Sequence, residues 1–325
     1  MDKSASFDSD ATELQKELLL LGPIFEKLVF TSDPLRKTYE QLRLVVYLKV
    51  PGCWLAAARG RGKTIAIEYC ARRLRAEIPG LPVFIINEQI LPGNELRSFF
   101  IRALAESGHD KPVSRDTTAL RHRLPMYWAE LSRYSPIGCV VVLLDECQSM
   151  RDLDMFLMKD LSNEIARMGG SLMTIAFGES PSFEALISQK TALMNDNGAV
   201  DRLFGGRQLK LFGYESESDW VSLFSEMDSM IFEELGNRSI AQAYFSHMDM
   251  SALRLANEAV RFCKALRMAQ GRTPLIEANL RRVFVGIRHA MVTTALKSID
   301  KRLTSITEIP IETWKEGLDF AMNSK

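Results

Sequence analysis

The feature that most constrains this chain is the run Ala57-Ala58-Arg59-Gly60-Arg61-Gly62-Lys63-Thr64, set between a short apolar stretch (53–56) and a helix-length segment (63–77). It fits the pattern GxxxxGK[ST] with alanine in the first position. A strand feeding such a loop and then a helix wraps consecutive backbone N–H groups around phosphates, and the helix N-terminus favours their negative charge. Ala58, Arg59, Gly60, Arg61 and Gly62 form the wrap. Lys63 is placed to reach β- and γ-phosphates, and the Thr64 hydroxyl to coordinate Mg²⁺. Ala57 is tolerated there if its φ is negative, because only a left-handed backbone demands glycine. The expectation is a site for ATP with Mg²⁺.

A second motif narrows this further. Cys139-Val140-Val141-Val142-Leu143-Leu144-Asp145-Glu146 reads as a buried central strand ending in two adjacent carboxylates, with Asp145 82 residues beyond Lys63. Asp145 is positioned to hold Mg²⁺ through water, and Glu146 to polarise a water for attack on the γ-phosphate. A lone Asp-Glu pair would suit an ordinary strand end. One separated from the loop by two helix-length segments and a strand suits a nucleotide-hydrolysing core better.

The rest of the pattern agrees. Strand-like runs at 53–56, 83–86, 139–144, 172–177 and 209–212 alternate with helix-length segments near 63–77, 94–107, 118–134 and 152–167. Alternation of this kind predicts an α/β fold with a mainly parallel sheet covered on both faces. After Phe212 the strand signal ends and the chain reads as helical to about Lys297. Leu14, Leu18, Leu21, Ile24 and Leu28 recur at helical steps ahead of the core. The expected organisation is an N-terminal helical extension (1–34), an α/β core (35–213), a helical lid (214–300) and a C-terminal segment (301–325). That last segment carries Ile309, Ile311, Trp314 and Phe320 and reads as a partner-binding surface.

Composition excludes other classes. With 46% hydrophobic and 25% charged residues the chain is globular rather than disordered. No apolar run approaches the roughly 18 residues of a membrane helix. The acidic, polar N-terminus resembles neither a signal nor a transit peptide. Five cysteines without a CxxC pair fit thiols in a reducing cytoplasm, so a cytoplasmic protein with no membrane partner is expected. The 41 basic and 41 acidic residues balance overall but not locally: residues 209–250 carry a net −6 and residues 251–301 a net +7. Opposite-sign surfaces of this kind suit contact between subunits or with nucleic acid. The four histidines, at 109, 122, 247 and 289, are not at metal-binding spacing and read as surface residues.

Taken together, the phosphate loop, the strand ending in Asp145-Glu146, a further strand and a helical lid resemble the AAA+ ATPases. The resemblance implies a polar sensor near Gly178-Glu179-Ser180, with Ser180 or Glu179 facing the γ-phosphate. It implies a trans-acting arginine finger in Asp201-Arg202-Leu203-Phe204, with Arg202 the candidate and Arg207 the reserve. It implies a lid sensor in Met250–Asn257, where Arg254 would touch the γ-phosphate. Within that class the chain is similar to transposition regulators of the TnsC/TniB kind, relatives of MuB and the IstB-like loaders. This likeness rests on Val83–Asn87, Pro92-Gly93-Asn94-Glu95-Leu96, Asp145–Met150, Phe177-Gly178-Glu179 and Asp201–Phe204, and spans about residues 30–265.

What that likeness implies is ATP-dependent assembly of a homo-oligomer, a ring or helical filament, around double-stranded DNA, linking a target-selection protein to a transposase. Residues 94–134 hold seven basic and five acidic side chains, and Arg97, Arg115, Arg121 and Arg123 are the candidate phosphate contacts. No recognition helix or zinc site points to base readout. Two other readings stand beside it. One is a helicase-loader or initiator-type AAA+ ATPase; the other is a nucleotide-dependent signalling switch acting on proteins.

Overall fold

The computed structural model describes residues 3–25, 28–87, 95–193, 203–205, 207–249, 253–271 and 279–323. The chain opens with helices α1 (Lys3–Phe25) and α2 (Asp33–Tyr47). Then follow β1 (Gly52–Ala57), α3 (Lys63–Glu77), β2 (Val83–Asn87), α4 (Glu95–Glu106), α5 (Thr117–Tyr134), β3 (Val140–Asp145), α6 (Asp152–Arg167), β4 (Leu172–Glu179), α7 (Ser182–Leu193) and β5 (Gln208–Leu209). Beyond them lie helices at Glu217–Ser229, Ile240–Tyr244, Leu255–Gln270, Leu280–Asp300 and Ile311–Asn323. Two compact units result: residues 37–212, and residues 1–36 together with 213–325.

In the unit 37–212, five parallel strands lie in the order β2-β3-β4-β1-β5. Every residue of β3 is buried. Val140, Val142 and Leu144 join a cluster with Leu120, Leu124 and Trp128 of α5 and Met155, Met158 and Leu161 of α6. Val141 and Leu143 alternate onto the opposite face and are equally buried. A strand covered on both sides is why its sequence is a continuous apolar run rather than an alternating one. At the end of β4, a Cβ on Gly178 would lie 2.2 Å from Cγ of Phe183. Glycine there lets that ring sit edge-on to Trp54 and Phe204.

The edge strand is shorter than the apolar run 209–212 suggests. β5 pairs with β1 only across Trp54 and Leu55. The Phe212 N–H instead donates to the Thr38 hydroxyl, and the Lys210 carbonyl accepts from Gln41, so side chains of α2 take over where the ladder stops. Helix α7 is also present between β4 and β5, where the apolar pattern marked nothing.

The other unit is held by an aromatic core. Trp220, Phe224, Phe262 and Trp314 pack together, with ring centroids 4.8 to 5.8 Å apart in the contacting pairs. Leu18, Leu21 and Phe25 of α1 belong to the same cluster. Helix α1 starts well before the expected stripe, and Leu19 and Leu20 on its other side are exposed. The C-terminal segment differs from the sequence expectation: Ile309 and Trp314 are fully buried in this core, and Phe320 remains exposed. An indole and an isoleucine bury too much apolar area to stay outside a core that can receive them. Two histidines are likewise more enclosed than expected. His247 bonds the Ser298 hydroxyl at 2.7 Å, and burial pushes it below its ordinary pKa. His289 stacks on Phe320.

Candidate functional site

The C-terminal ends of β1, β3 and β4 converge on the phosphate loop. β1 ends at Ala57, an ordinary strand residue, so the missing first glycine costs nothing in backbone conformation. Gly60 and Gly62 have φ of 77° and 82°, the left-handed values that glycine adopts without strain. Gly62 is the N-cap of α3 and supplies no side-chain cap, and the first turn holds no acidic residue. The opening N–H groups of α3 are thus left to an anion, as at other helix N-termini that bind phosphate. Arg59 is exposed and Arg61 half-buried on the same loop.

Lys63 is 8% exposed, and its Nζ donates to the carbonyls of Ala57 (3.0 Å) and Ala58 (3.3 Å). The Ala57 carbonyl also accepts the N–H of Ser180 at 3.1 Å, which ties the start of the loop to the end of β4. The Thr64 hydroxyl donates to Asp145 Oδ2 at 3.1 Å. Asp145 is 4% exposed. Burial pushes its carboxyl above the ordinary value, against the pull of the Glu146 N–H and the Thr64 hydroxyl. A buried carboxylate beside a hydroxyl and near an ammonium is a hard-oxygen donor set that suits Mg²⁺ once phosphates complete the shell. Among the described residues no cluster of three or more His, Cys, Asp or Glu could hold a metal without such help.

Glu146 follows in the left-handed region, φ 57° and ψ 34°. Its N–H donates to Asp145 Oδ1 at 2.9 Å. Its Oε2 accepts from Gln148 Nε2 at 2.6 Å, and Gln148 Oε1 accepts the Glu179 N–H at 2.8 Å. The sequence reading gave Gln148 no role; the signal was a residue with both donor and acceptor two positions after the Asp-Glu pair. The Ser180 hydroxyl donates to Glu184 Oε1 at 3.0 Å, so it faces the first turn of α7.

The remaining candidates fall elsewhere. Arg202 lies outside the described residues. Arg207 is exposed in the segment before β5, where its carbonyl accepts the Trp54 N–H. Arg254 is exposed at the N-cap of the helix Leu255–Gln270, in the other unit. Asp228 accepts the N–H groups of Leu255 and Ala256, both at 3.0 Å, and so caps that helix beside Arg254. Of the four arginines expected to meet DNA, Arg97 donates to the Ser114 carbonyl and Arg123 to the Lys111 carbonyl. Arg121 lies 3.5 Å from Asp160 in an exposed ion pair, and Arg115 is exposed. Among the described residues no helix is long and apolar enough to cross a membrane.

No protein-family model matches this sequence, and no curated protein matches it. Among solved structures it is similar to a chain of the Drosophila ORC bound to DNA, with a TM-score of 0.52 and 13% identity. That match covers 96% of this chain, which spans 66% of the Drosophila chain. It is also similar to the Aeropyrum pernix Orc1 protein in complex with DNA (TM-score 0.43, 12% identity, 94% of this chain and 87% of that). Domain III of the Thermotoga maritima replication initiation protein DnaA gives a TM-score of 0.43 at 15% identity, over 92% of this chain and 97% of that. With its five-stranded parallel sheet, its phosphate loop after β1 and its added helices, the chain has the α/β fold of a P-loop AAA+ core with helical extensions.

Proposed function

We propose that this chain is an ATP-hydrolysing AAA+ protein of the initiator or helicase-loader type, which assembles on double-stranded DNA when ATP is bound. The observation that carries the ATP reading is the Thr64 hydroxyl 3.1 Å from Asp145, beside a Lys63 folded onto its own loop. In this reading Lys63 turns from the loop carbonyls to the β- and γ-phosphates, and Thr64 and Asp145 hold Mg²⁺. Mg²⁺ when bound neutralises charge developing on the phosphates. Glu146 polarises the attacking water. Ser180 or Glu179 reads the γ-phosphate from β4, and Arg254 does so from the helical unit. Arg202, or Arg207 in its place, reaches the site of a neighbouring subunit.

DNA contact is supported by the fold likeness to the ORC chain, whose structure is bound to DNA. Arg97, Arg115, Arg121 and Arg123 would give backbone contacts without base readout. The finer reading, a transposition regulator joining a target-selection protein to a transposase, rests on the sequence likeness to TnsC/TniB proteins alone. Part of that likeness, residues 92–94 and 201–202, lies outside the described residues. The likeness in fold favours the initiator-type reading.

Co-sedimentation with double-stranded DNA tests this directly. Large complexes are expected with ATP or a slowly hydrolysed analogue and not with ADP, weakening steeply as salt rises. Absence of DNA from the pellet with every nucleotide would refute DNA assembly, and a switch acting on proteins would replace it.

A further inference from the structure

We propose that Gln148 is a positioning residue for the Glu146 carboxylate, fixing it against the C-terminal end of β4. This rests on the reading of Glu146 as the group that activates water.

Three hydrogen bonds hold the Glu146 turn in place besides the amide contact. Its N–H donates to Asp145 Oδ1, its carbonyl accepts the Ser149 N–H at 2.9 Å, and the Met150 N–H donates to the Cys147 carbonyl at 3.1 Å. A residue with a Cβ is strained in the left-handed region, so the local bonds must over-determine it. They fix the backbone, yet leave the side-chain torsions of Glu146 to turn. The amide of Gln148 removes that freedom: Nε2 donates to Glu146 Oε2 and Oε1 accepts the Glu179 N–H.

Only one orientation of the amide satisfies both neighbours. Turned over, it would set its oxygen against a carboxylate and its NH₂ against a backbone N–H. Glutamate at this position would keep the acceptor without the donor, lysine the reverse, and leucine neither. The chemistry therefore calls for a planar group with a donor and an acceptor. Through it the carboxylate just past the end of β3 is bolted to the backbone at the end of β4, directly before Ser180. Misplacing a reacting group by about 1 Å costs on the order of 100-fold in rate, so release of this side chain should appear in turnover rather than in binding.

The test compares the parent chain with Gln148→Glu and Gln148→Leu, measuring ATP turnover with double-stranded DNA and the affinity for a slowly hydrolysed analogue. Gln148→Glu retains an acceptor for the Glu179 N–H and loses the donor to Glu146; Gln148→Leu loses both. Positioning predicts that kcat falls by about 10- to 100-fold in both, with KM and analogue affinity nearly unchanged. An architectural role at β4 alone would spare Gln148→Glu and would overturn the proposal, as would parental kcat in both variants. A second readout needs no turnover: the Gln148 side-chain ¹⁵NH₂ resonance, assigned by its absence in Gln148→Glu, must shift in Glu146→Ala. If it does not, the inference fails even where hydrolysis is normal. If it shifts in a chain whose parent never hydrolyses ATP, the contact stands and the ATPase reading falls.

Discussion

The helical unit and the phosphate-loop end of the α/β unit use buried carboxylates in opposite ways. In the helical unit three acids, Glu258, Asp219 and Asp228, are committed to the fold. Glu258, fully buried, accepts from Trp314 Nε1 and the Ile309 N–H and pairs with Arg261. Asp219 accepts the N–H groups of Glu215 and Ser216, and Asp228 caps the helix Leu255–Gln270. Each closes a turn or clamps a helix. In the α/β unit Asp145 and Glu146 sit at a strand end, next to a loop whose last residue, Gly62, gives α3 no side-chain cap. Their partners are a hydroxyl, a backbone N–H and an amide, all able to stay in place while the carboxylates meet a cation or a water. Burial of an acid is thus not itself a functional signal. What separates the two regions is whether the surrounding donors leave capacity for something else.

That contrast can be broken by substitution. The largest effect should come from Lys63→Ala, which removes the ammonium folded onto the phosphate loop: affinity for an ATP analogue should drop by at least 100-fold, measured by calorimetric titration, with the melting temperature nearly unchanged. Glu146→Gln should keep analogue binding and reduce turnover by about 100- to 10,000-fold, the range a general base supplies. Turnover at the parental rate would move the base elsewhere.

Glu258→Ala should do the reverse. Removing one side of a buried, hydrogen-bonded ion pair costs on the order of 3 kcal/mol. Amide exchange should accelerate across 255–270 and 311–323, while amides of β1, β3 and β4 and the affinity for nucleotide stay as in the parent. Burial raises the Glu258 carboxyl above its ordinary value of 4.5. Between the ordinary and the raised value the folded chain therefore binds more protons than the unfolded one. This group's contribution to stability is greatest below 4.5 and declines as pH rises through the folded value. Glu258→Gln should flatten that part of the pH–stability curve. The smallest change is expected from Asp228→Ala, which removes a helix cap: about 1 kcal/mol of stability, read from denaturant unfolding.

How much of this was legible in the sequence depends on the range of the forces involved. The phosphate loop and β3 could be read because each is specified locally: glycines at left-handed positions, and an apolar run buried on both faces that stops at two acids. Helices α3 and α6 are bounded by their own periodicity, and their expected limits, 63–77 and 152–167, coincide with those observed. The extent of β5 could not be read, because its ladder is cut short by Thr38 and Gln41, which are 174 and 169 residues away in the chain. The same holds for Trp314, whose burial depends on Glu258, 56 residues earlier, and on two phenylalanines of other helices. At the site, sequence named Lys63, Thr64, Asp145 and Glu146, and the fold brings these four to one end of the sheet. It did not give Gln148 a role, because nothing local says that the β4 backbone will pass within reach of that amide.

The measurement that bears most directly on the central claim is titration of the parent chain with a slowly hydrolysed ATP analogue, once with Mg²⁺ and once with the cation chelated. Saturable binding that tightens by at least tenfold with Mg²⁺ is the predicted result, since Thr64 and Asp145 would then share a cation with the phosphates. Equal binding in both conditions would detach those two residues from any cation. No binding in either would contradict the assignment of the loop at Ala57–Thr64 as a nucleotide site.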